Sequence, residues 1–359
     1  MKRVYYNLLL LLFLINLCGC SNNNNDISVH INEESITENT TVSTSSEPVF
    51  TGLNIQDTDT DFSPLVNKKS MNHQLFCYDD NGNIYFSDPM NNYSLYSYDG
   101  TKTKLLADVP AYCLNYYDGK IYFLSENKII NIEDRISPEG YPFECDIGSG
   151  EMSQIRERKI TGMTVIDGEI YGINEENACY VYRYDRTSDT EEKLFNSFDI
   201  AKAGKYFLTF EPGADRIDFY LESKDDKILF INDDIPLNSC FCYGKFYYKS
   251  QSDYALKVID LQSGERKSLD GSADYSFLNG DLYVLNNDHH LCRYDGNDFI
   301  IMEEMNQYEY IYSDNKNLFG IKKEYSLSAR VMEYFFVKIN GDFSIEILSG
   351  NEGDQCSEK

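Results

Sequence analysis

Polar and aromatic side chains recur in this chain where predicted strands give way to loops. A Tyr ring can stack on a sugar or a peptide, and Asp and His side chains can hydrogen-bond to it. The candidate ligand-binding residues are Asp88, Tyr93, Asp253, Tyr254, His289 and Tyr325. Because binding residues concentrate in loops on a rigid scaffold, these positions indicate a binding surface.

Signals for catalysis are few. The chain has four His residues, and neither Gly-x-Ser-x-Gly nor His-Glu-x-x-His occurs in it. Neighbouring residues on a strand point to opposite sides, so His289 and His290 do not form a ready metal pair. We therefore expect no catalytic residue, no metal and no cofactor. Carboxylates are plentiful, and a hydrolase or lyase that acts on polysaccharide with two of them is the alternative.

A repeated phrase reveals the elements that must position these loops. It consists of a turn that ends in Gly, a polar residue, an apolar residue and an aromatic. It occurs at 81–85, 118–122, 167–171, 243–247 and 279–283, with weaker copies at 203–207 and 315–319. Consecutive copies lie 36 to 49 residues apart. Short strands repeated with this period are typical of a radial or stacked array.

Each repeat is predicted to form four short antiparallel strands, because apolar and polar residues alternate and Asp-Gly pairs such as Asp99-Gly100 mark hairpins. The aromatic three positions after the turn should pack one sheet against the next. This residue is Tyr85, Tyr122, Tyr171, Phe207, Tyr247, Tyr283 or Phe319. We predict an all-β fold, a β-propeller of seven four-stranded blades, with six blades as the alternative.

Two irregular segments carry further expectations. Residues 137–150 are rich in Gly and Pro, and we interpret them as a surface insertion. Residues 48–55 precede the first repeat and are able to supply a strand that completes the last blade, which would close the ring.

The strand pattern also resembles a known family. Gly-x-Ile-Tyr-Phe, then Leu-Tyr-x-Tyr-Asp-Gly, then Lys-x-Leu is similar to bacterial lipoprotein propellers related to the YWTD repeat of the low-density lipoprotein receptor. Residues 83–88 take the place of the Tyr-Trp-Thr-Asp strand, although the chain contains no Trp. The resemblance covers most of residues 72–349 and implies the propeller fold.

The first residues indicate export. Lys2 and Arg3 precede an apolar run at 8–17 that is too short to span a bilayer as a helix. The sequence Leu17-Cys18-Gly19-Cys20 resembles a bacterial lipobox, which implies lipid attachment at Cys20. We predict a lipoprotein signal peptide at 1–19, a lipid-anchored disordered tether at 20–47 and a propeller domain at 48–359. A plain secretory signal is the alternative.

The amino-acid composition limits the classes of binding partner that we expect. The net charge of −27 argues against nucleic acid, which binds basic surfaces. The chain has ten Cys, and those beyond Cys20 mostly lie in apolar runs, so we expect buried thiols rather than disulfides. The sequence predicts a monomer on the extracytoplasmic side of the cell membrane, held by its lipid anchor, that binds a protein or glycan ligand.

Overall fold

The computed structural model describes residues 50–52, 74–126, 139–174, 180–185, 190–197, 200, 202–203, 206–212, 217–269, 274–303, 305–314 and 316–349. They belong to one compact unit, Phe50–Lys359. Within these ranges no helix has the length and apolarity that crossing a bilayer requires. The predicted signal peptide, Cys20 and the tether lie outside the described residues.

The described residues form 28 strands, which we group into seven consecutive four-stranded units. Unit one contains β1 (Phe76–Tyr78), β2 (Ile84–Asp88), β3 (Ser94–Tyr98) and β4 (Thr103–Pro110). Unit two contains β5 (Tyr112–Tyr117), β6 (Lys120–Ser125), β7 (Glu139–Asp146) and β8 (Met152–Gln154). Unit three contains β9 (Ile160–Ile166), β10 (Glu169–Asn174), β11 (Tyr180–Tyr184) and β12 (Glu191–Asn196). Unit four contains β13 (Lys202–Ala203), β14 (Tyr206–Pro212), β15 (Ile217–Glu222) and β16 (Lys227–Ile231).

The remaining units have the same strand order. Unit five contains β17 (Pro236–Cys242), β18 (Lys245–Ser250), β19 (Leu256–Asp260) and β20 (Arg266–Leu269). Unit six contains β21 (Asp274–Leu278), β22 (Asp281–Leu285), β23 (Leu291–Tyr294) and β24 (Phe299–Glu303). Unit seven contains β25 (Gln307–Ser313), β26 (Leu318–Ser326), β27 (Val331–Ile339) and β28 (Ile345–Ile347). A 3-10 turn, Pro89–Asn91, follows β2.

All pairs among the described strands are antiparallel, and nearly all join strands that follow each other in the chain. The exception in order is β7, which also pairs with β9 and so joins units two and three into one eight-stranded sheet. Because strand direction alternates, each unit has two kinds of end. The hairpins that join its first to second and third to fourth strands lie at one end, the turn face. The loops that join second to third strands, and the connections between units, lie at the other end, the loop face.

The tight hairpins arise from local backbone chemistry. Asp118 and Gly119 both have positive φ, 48° and 75°, which is the signature of a type I′ turn. Such turns match the right-handed twist of the flanking strands. The same pair of positive φ angles recurs at Asp167-Gly168, Tyr243-Gly244 and Asn279-Gly280. Turn geometry therefore explains the Gly at these four positions of the repeated phrase.

The aromatic residues of the repeated phrase pack units against one another, as predicted. Six of the seven are buried, and Phe207 is half-buried. The Tyr247 ring meets Phe277 of the next unit edge to face, with centroids 4.8 Å apart. Phe319 of unit seven contacts Phe76 of unit one at 5.2 Å. Each unit is thus wedged against its neighbour by rings from the second strand.

The last unit packs directly on the first. Phe336 on β27 stacks on Phe86 of β2, with ring centroids 4.2 Å apart. The outermost described strand of unit seven is β28, which follows β27 in the chain. The expectation that residues 48–55 complete this unit is wrong for their described part, because Phe50 lies edge to face against Phe230 of unit four, 4.8 Å away. A Cβ at Gly52 would lie 2.0 Å from the carbonyl oxygen of Gln262, so this segment packs tightly on unit five.

The predicted surface insertion at 137–150 is also wrong in its described part. Residues Glu139–Asp146 form β7, the third strand of unit two. Pro142 lies opposite Leu124 of β6, and pairing with β8 begins only at the following residue, Phe143. A proline is tolerated there because no neighbouring strand needs its missing N–H. The Gly and Pro residues therefore mark a strand whose partner changes from β9 to β8 along its length.

Six cysteines lie in the described residues, and all of them are buried thiols rather than disulfides. They are Cys77, Cys113, Cys145, Cys240, Cys242 and Cys292. Burial raises the pKa of Cys77 and of Cys145, which keeps these thiols protonated. The prediction of buried thiols is confirmed for these six; Cys179 and Cys356 lie outside the described residues.

Candidate ligand-binding site

Three of the candidate residues occupy one repeated position on the loop face. Tyr93, Tyr254 and His289 each lie two residues before an apolar residue of the third strand, with φ angles of 62°, 58° and 65°. These values place all three in the left-handed region, which non-Gly residues seldom adopt. The three loops therefore enter the third strand through the same backbone conformation.

In two units this residue links its own unit to the next. The N–H of Ala111, just before β5, donates to the Tyr93 carbonyl at 2.9 Å. The N–H of Tyr308 on β25 donates to the His289 carbonyl at 3.0 Å. The hydroxyl of Ser87 also donates to the Ala111 carbonyl. Tyr93 and His289 therefore hold adjacent units together through their backbones.

Asp88 lies at the end of β2 and is fully buried. Its side chain accepts a hydrogen bond from the Met90 N–H at 3.0 Å and another from the Asn91 amide at 2.7 Å. These contacts cap the 3-10 turn that follows β2. The Asp88 carboxylate thus shapes the loop that carries Tyr93, which is itself buried and packed at 5.3 Å on Tyr112.

Unit five exposes two of the candidate residues side by side. Tyr254 is 49% exposed, and the ammonium of Lys249 lies 5.7 Å from the centroid of its ring. The Asp253 carboxylate is about half-exposed and lies 3.3 Å from the ammonium of Lys257. An accessible aromatic ring and an accessible carboxylate therefore lie next to each other on the loop face.

A buried carboxylate forms the floor of this cluster. Asp234, in the connection that leads to β17, has a side chain that is nearly inaccessible. It accepts hydrogen bonds from Lys257 at 2.8 Å and from the Ser250 hydroxyl at 3.0 Å. The Ser250 hydroxyl in turn lies 2.8 Å from that of Ser252. We call Asp234, Ser250, Ser252, Asp253, Tyr254 and Lys257 the unit-five site.

The charges of the unit-five site are fixed by these contacts. Partial burial alone would raise the pKa of Asp253, but the nearby Ser250 hydroxyl, a hydrogen bond from the Ala255 N–H and the Lys257 ammonium lower it overall. Burial alone would lower the pKa of Lys257, but hydrogen bonds and Coulombic attraction from Asp234 and Asp253 raise it. The carboxylate at the rim is therefore ionised and the ammonium protonated over the ordinary pH range.

The other two candidate residues lie apart from this site. The His289 imidazole donates from Nδ1 to the Tyr308 carbonyl at 2.9 Å, and Nδ1 lies 3.8 Å from the Glu309 carboxylate. Glu309 also pairs with Lys323 of β26 at 3.4 Å. Tyr325 is exposed near the end of β26. Asp253 and Tyr254 therefore lie side by side in unit five, whereas Asp88 and Tyr93 belong to unit one, His289 to unit six and Tyr325 to unit seven.

Sequence reasoning missed Asp234, Ser250 and Lys257. Asp234 comes from a connection between units, whereas Ser250 and Lys257 come from the second and third strands. They meet only because β18 and β19 pair, with Lys257 opposite Tyr248. A polar residue at the end of a second strand is the one available signal, since Asp88 and Ser250 both hold that position. Among the residues that the structure describes, no group of three or more His, Cys, Asp or Glu is arranged to hold a metal ion.

Comparisons with solved structures identify the architecture. The chain is similar to a puromycin-hydrolysing peptidase of Mycobacterium tuberculosis, with a TM-score of 0.55, 10% identity, and coverage of 80% of this chain and 54% of that one. An acylaminoacyl peptidase of Pyrococcus horikoshii matches at a TM-score of 0.52 and 13% identity, again over 80% and 54%. The β-propeller domain of the trilobed protease from Pyrococcus furiosus matches at 0.50 and 10%, over 77% of this chain and 97% of that domain.

The fold is a β-propeller. At identities this low, the similarity establishes the fold alone. The propeller spans about half the length of the two peptidases, so their activities belong to those proteins. No protein-family model matches the chain, and no curated protein sequence matches it.

The predicted relation to propellers is confirmed at the level of fold, and the lipoprotein relation stays a prediction. The strand order is compatible with seven blades, two of which share a sheet. The number of blades, seven or six, also stays a prediction.

Proposed function

We propose that this protein is a lipid-anchored, extracytoplasmic β-propeller that binds a glycan through the unit-five site. The observation that carries the proposal is the pairing of an exposed Tyr254 ring with the ionised Asp253 carboxylate. A sugar ring can stack on the aromatic face while its hydroxyls donate to the carboxylate. The exposed Ser252 hydroxyl lies beside this pair and adds a further hydrogen-bonding group, whereas the Ser250 hydroxyl is buried and contacts Ser252 from below.

The same geometry disfavours hydrolysis at this site. A glycosidase needs one carboxylic acid that keeps its proton near neutral pH, together with a second carboxylate. Lys257 lies between Asp234 and Asp253, within 2.8 Å and 3.3 Å of their oxygens, and the pKa of Asp253 is lowered. A carboxyl group in that state accepts hydrogen bonds and does not donate a proton. The hydrolase or lyase alternative therefore needs another site on the propeller.

A glycan array probed with the wild-type chain and with Tyr254→Asn tests the proposal. Asn tolerates the left-handed backbone of this position, so the variant removes the ring and spares the loop. We expect glycan binding that survives high salt in the wild type and weakens roughly tenfold or more in the variant. Tyr243→Asn is the matched control, because Tyr243 has φ 50°, is similarly exposed and lies on the turn face of the same unit.

Three outcomes would contradict the proposal. Equal glycan binding by wild type and Tyr254→Asn would mean that the glycan does not bind at the unit-five site. Cleavage of an array glycan would establish the hydrolase instead. Absence of any glycan signal, with an envelope protein retained by the wild type and lost with Tyr254→Asn, would make the ligand a protein.

A further inference from the structure

The hairpin of β26 and β27 is longer than its counterparts. Both strands have nine residues, whereas the second and third strands of the other units have four to eight. Pairing with β25 extends along β26 only to Lys323, and β28 pairs only with Val337–Ile339 of β27. The part from 324 to 333 therefore extends past the flanking strands on the loop face. We call residues 324–333 the free hairpin.

The free hairpin exposes apolar side chains on both of its faces. Tyr325 lies directly opposite Met332, and Val331 lies opposite Ser326 on the other face. The exposed fractions are 54% for Tyr325, 84% for Leu327, 52% for Val331 and 42% for Met332. An ordinary exposed strand alternates apolar and polar faces. A hairpin that is apolar on both faces and at its tip is built to be surrounded rather than to lie on a flat surface.

The tip is a formed turn. The Arg330 N–H donates to the Ser326 carbonyl at 2.8 Å, and the Ala329 N–H donates to the Ser326 hydroxyl at 3.3 Å. Arg330 completes the turn with φ 57°. The exposed Leu327 side chain is thus presented on an ordered loop.

Charge near the free hairpin differs from that of the whole protein. Residues 322–333 contain Lys322, Lys323 and Arg330 against Glu324 and Glu333, which gives 3 − 2 = +1, while the whole chain carries −27. Lys322 pairs with Glu324 at 3.0 Å, and Lys323 pairs with Glu309. The free hairpin itself, residues 324–333, carries Arg330 against Glu324 and Glu333, a net charge of 1 − 2 = −1, so a lipid surface repels this near-neutral segment only weakly.

Two exposed methionines flank the base of this hairpin. Met90 lies in the 3-10 turn that packs against β27. Met305, which is almost fully exposed, precedes Gln307, the residue opposite Lys323. The apolar surface around the free hairpin therefore continues onto unit one and the connection that enters unit seven.

We propose that the free hairpin inserts into the interfacial region of a lipid bilayer. Its three residue pairs reach about 10 Å beyond the flanking strands, and the headgroup layer on each side of a bilayer is roughly 5 to 8 Å thick. Leu327 at the tip would reach the hydrocarbon boundary, with Tyr325 and Arg330 at the headgroup level that such side chains favour. This contact depends neither on the glycan site nor on the lipid attached at Cys20.

A lipid surface fits the free hairpin better than a protein partner does. Acyl chains and headgroups surround an inserted element on all sides, which matches apolar groups on both faces and at the tip. A protein partner would need a cleft that encloses the hairpin from both sides. The near-neutral local charge also fits insertion driven by apolar contact rather than by Coulombic adsorption.

The absence of Trp from the chain makes a sharp test available. Leu327→Trp, in residues 20–359 with Cys20→Ser to omit the lipid, places a single Trp at the tip. We expect its fluorescence to shift to shorter wavelength and to be quenched by brominated lipid when phosphatidylcholine vesicles are added. Ile347→Trp is the control, because Ile347 is exposed on the outer strand β28, and its emission should not change.

Vesicle flotation provides a second readout with the Trp-free chain. Leu327→Ser combined with Val331→Ser should weaken recovery with phosphatidylcholine vesicles by at least about tenfold, because it removes two apolar side chains from the contact. The matched control, Ile300→Ser with Ile301→Ser on β24, should float like the wild type. Circular dichroism confirms that each variant keeps its β structure.

Two results would overturn the proposal. Leu327→Trp emission that is unchanged by phosphatidylcholine and shifts only with phosphatidylglycerol present would indicate adsorption by charge. Emission that responds to lipid-free envelope protein and not to vesicles would assign the free hairpin to a protein partner.

Discussion

His289 forms hydrogen bonds with both the backbone N–H and the backbone carbonyl of Tyr308. The Tyr308 N–H donates to the His289 carbonyl at 3.0 Å, and His289 Nδ1 donates to the Tyr308 carbonyl at 2.9 Å. These two bonds join the loop face of unit six to the first strand of unit seven. A residue that resembled a ligand-binding group in the sequence is thus an inter-blade clamp in the fold.

Loss of this clamp should destabilise the protein. His289→Ala removes the side-chain hydrogen bond to the Tyr308 carbonyl. It also leaves an Ala in the left-handed region, where no side-chain hydrogen bond offsets the backbone strain. Together these effects should lower the free energy of unfolding by about 1–3 kcal/mol. His289→Gly should lose less, since Gly adopts φ 65° without strain. Urea denaturation measures both. Equal losses in the two variants would contradict a backbone contribution at this position.

Ring closure depends on the stack between Phe86 and Phe336, whose centroids are 4.2 Å apart. Because Phe336 is fully buried, Phe336→Ala should lower the free energy of unfolding by about 3–5 kcal/mol. The exposed Ile347 on β28 is the control, and Ile347→Ala should change stability by less than about 0.5 kcal/mol. Similar urea midpoints for the two variants would mean that units one and seven are not held by this contact.

Acid should destabilise the protein by protonating Asp residues in the turns of the turn face. Hydrogen bonds from Thr101 and Lys102 lower the pKa of Asp99 to about 2, and equivalent turn bonds lower the pKa of Asp146 and Asp295. A lowered folded-state pKa stabilises the protein above the unfolded value of about 4, and this stabilisation is lost as pH falls toward about 2.

Unfolding by urea at a series of pH values checks this expectation. The wild type should lose stability between about pH 4 and pH 2. The double variant Asp99→Asn and Asp295→Asn keeps an acceptor oxygen in each turn but does not titrate, so its stability should fall less over that range. A variant curve as steep as the wild-type curve would show that these turn carboxylates do not contribute.

The ion pair between Lys257 and Asp234 has a structural role as well as a place in the ligand site. Asp234 is nearly inaccessible and lies 2.8 Å from the ammonium, so Lys257→Met would leave a buried carboxylate without its countercharge. We expect a loss of about 3 kcal/mol in the free energy of unfolding. Adding Asp234→Asn to the variant should recover much of that loss. Additive losses in the double variant would show that the two side chains are not coupled.

The six described thiols should be protected by the fold. Burial raises the pKa of Cys242 and of Cys292, so both reagent access and thiolate formation are suppressed in the native state. Alkylation by iodoacetamide, followed by peptide mass spectrometry, should label these cysteines only after unfolding. Labelling of Cys242 in the native protein at the rate of the unfolded chain would contradict the described packing.

Much of the fold follows from local sequence. Each type I′ turn depends on two adjacent residues such as Asp118 and Gly119, and the aromatic three positions later points into the next unit because strand periodicity places it there. Because the turn recurs in several repeats and the aromatic residue in every repeat, the chain shows the same local pattern several times. The wedge between units, exemplified by Tyr247 and Phe277, was therefore predictable.

Features that join distant segments were not predictable in this way. Pro142 suggested a loop, yet β7 tolerates it because the pairing partner changes beside it. Phe50 packs on Phe230 of unit four, a contact between residues far apart in the chain that no local pattern encodes. The site followed the same rule: Asp253 and Tyr254 are adjacent in sequence and were found, whereas Asp234 reaches them only through the tertiary fold.

Hydrogen–deuterium exchange with and without a glycan selected on the array tests binding at the unit-five site most directly. Added protection should be concentrated in residues 250–257, which comprise the loop between β18 and β19 and the strand residues on either side of it, and Tyr254→Asn should abolish it. Protection confined to the turn face, or spread over units one and seven with 250–257 unchanged, would contradict binding at the unit-five site.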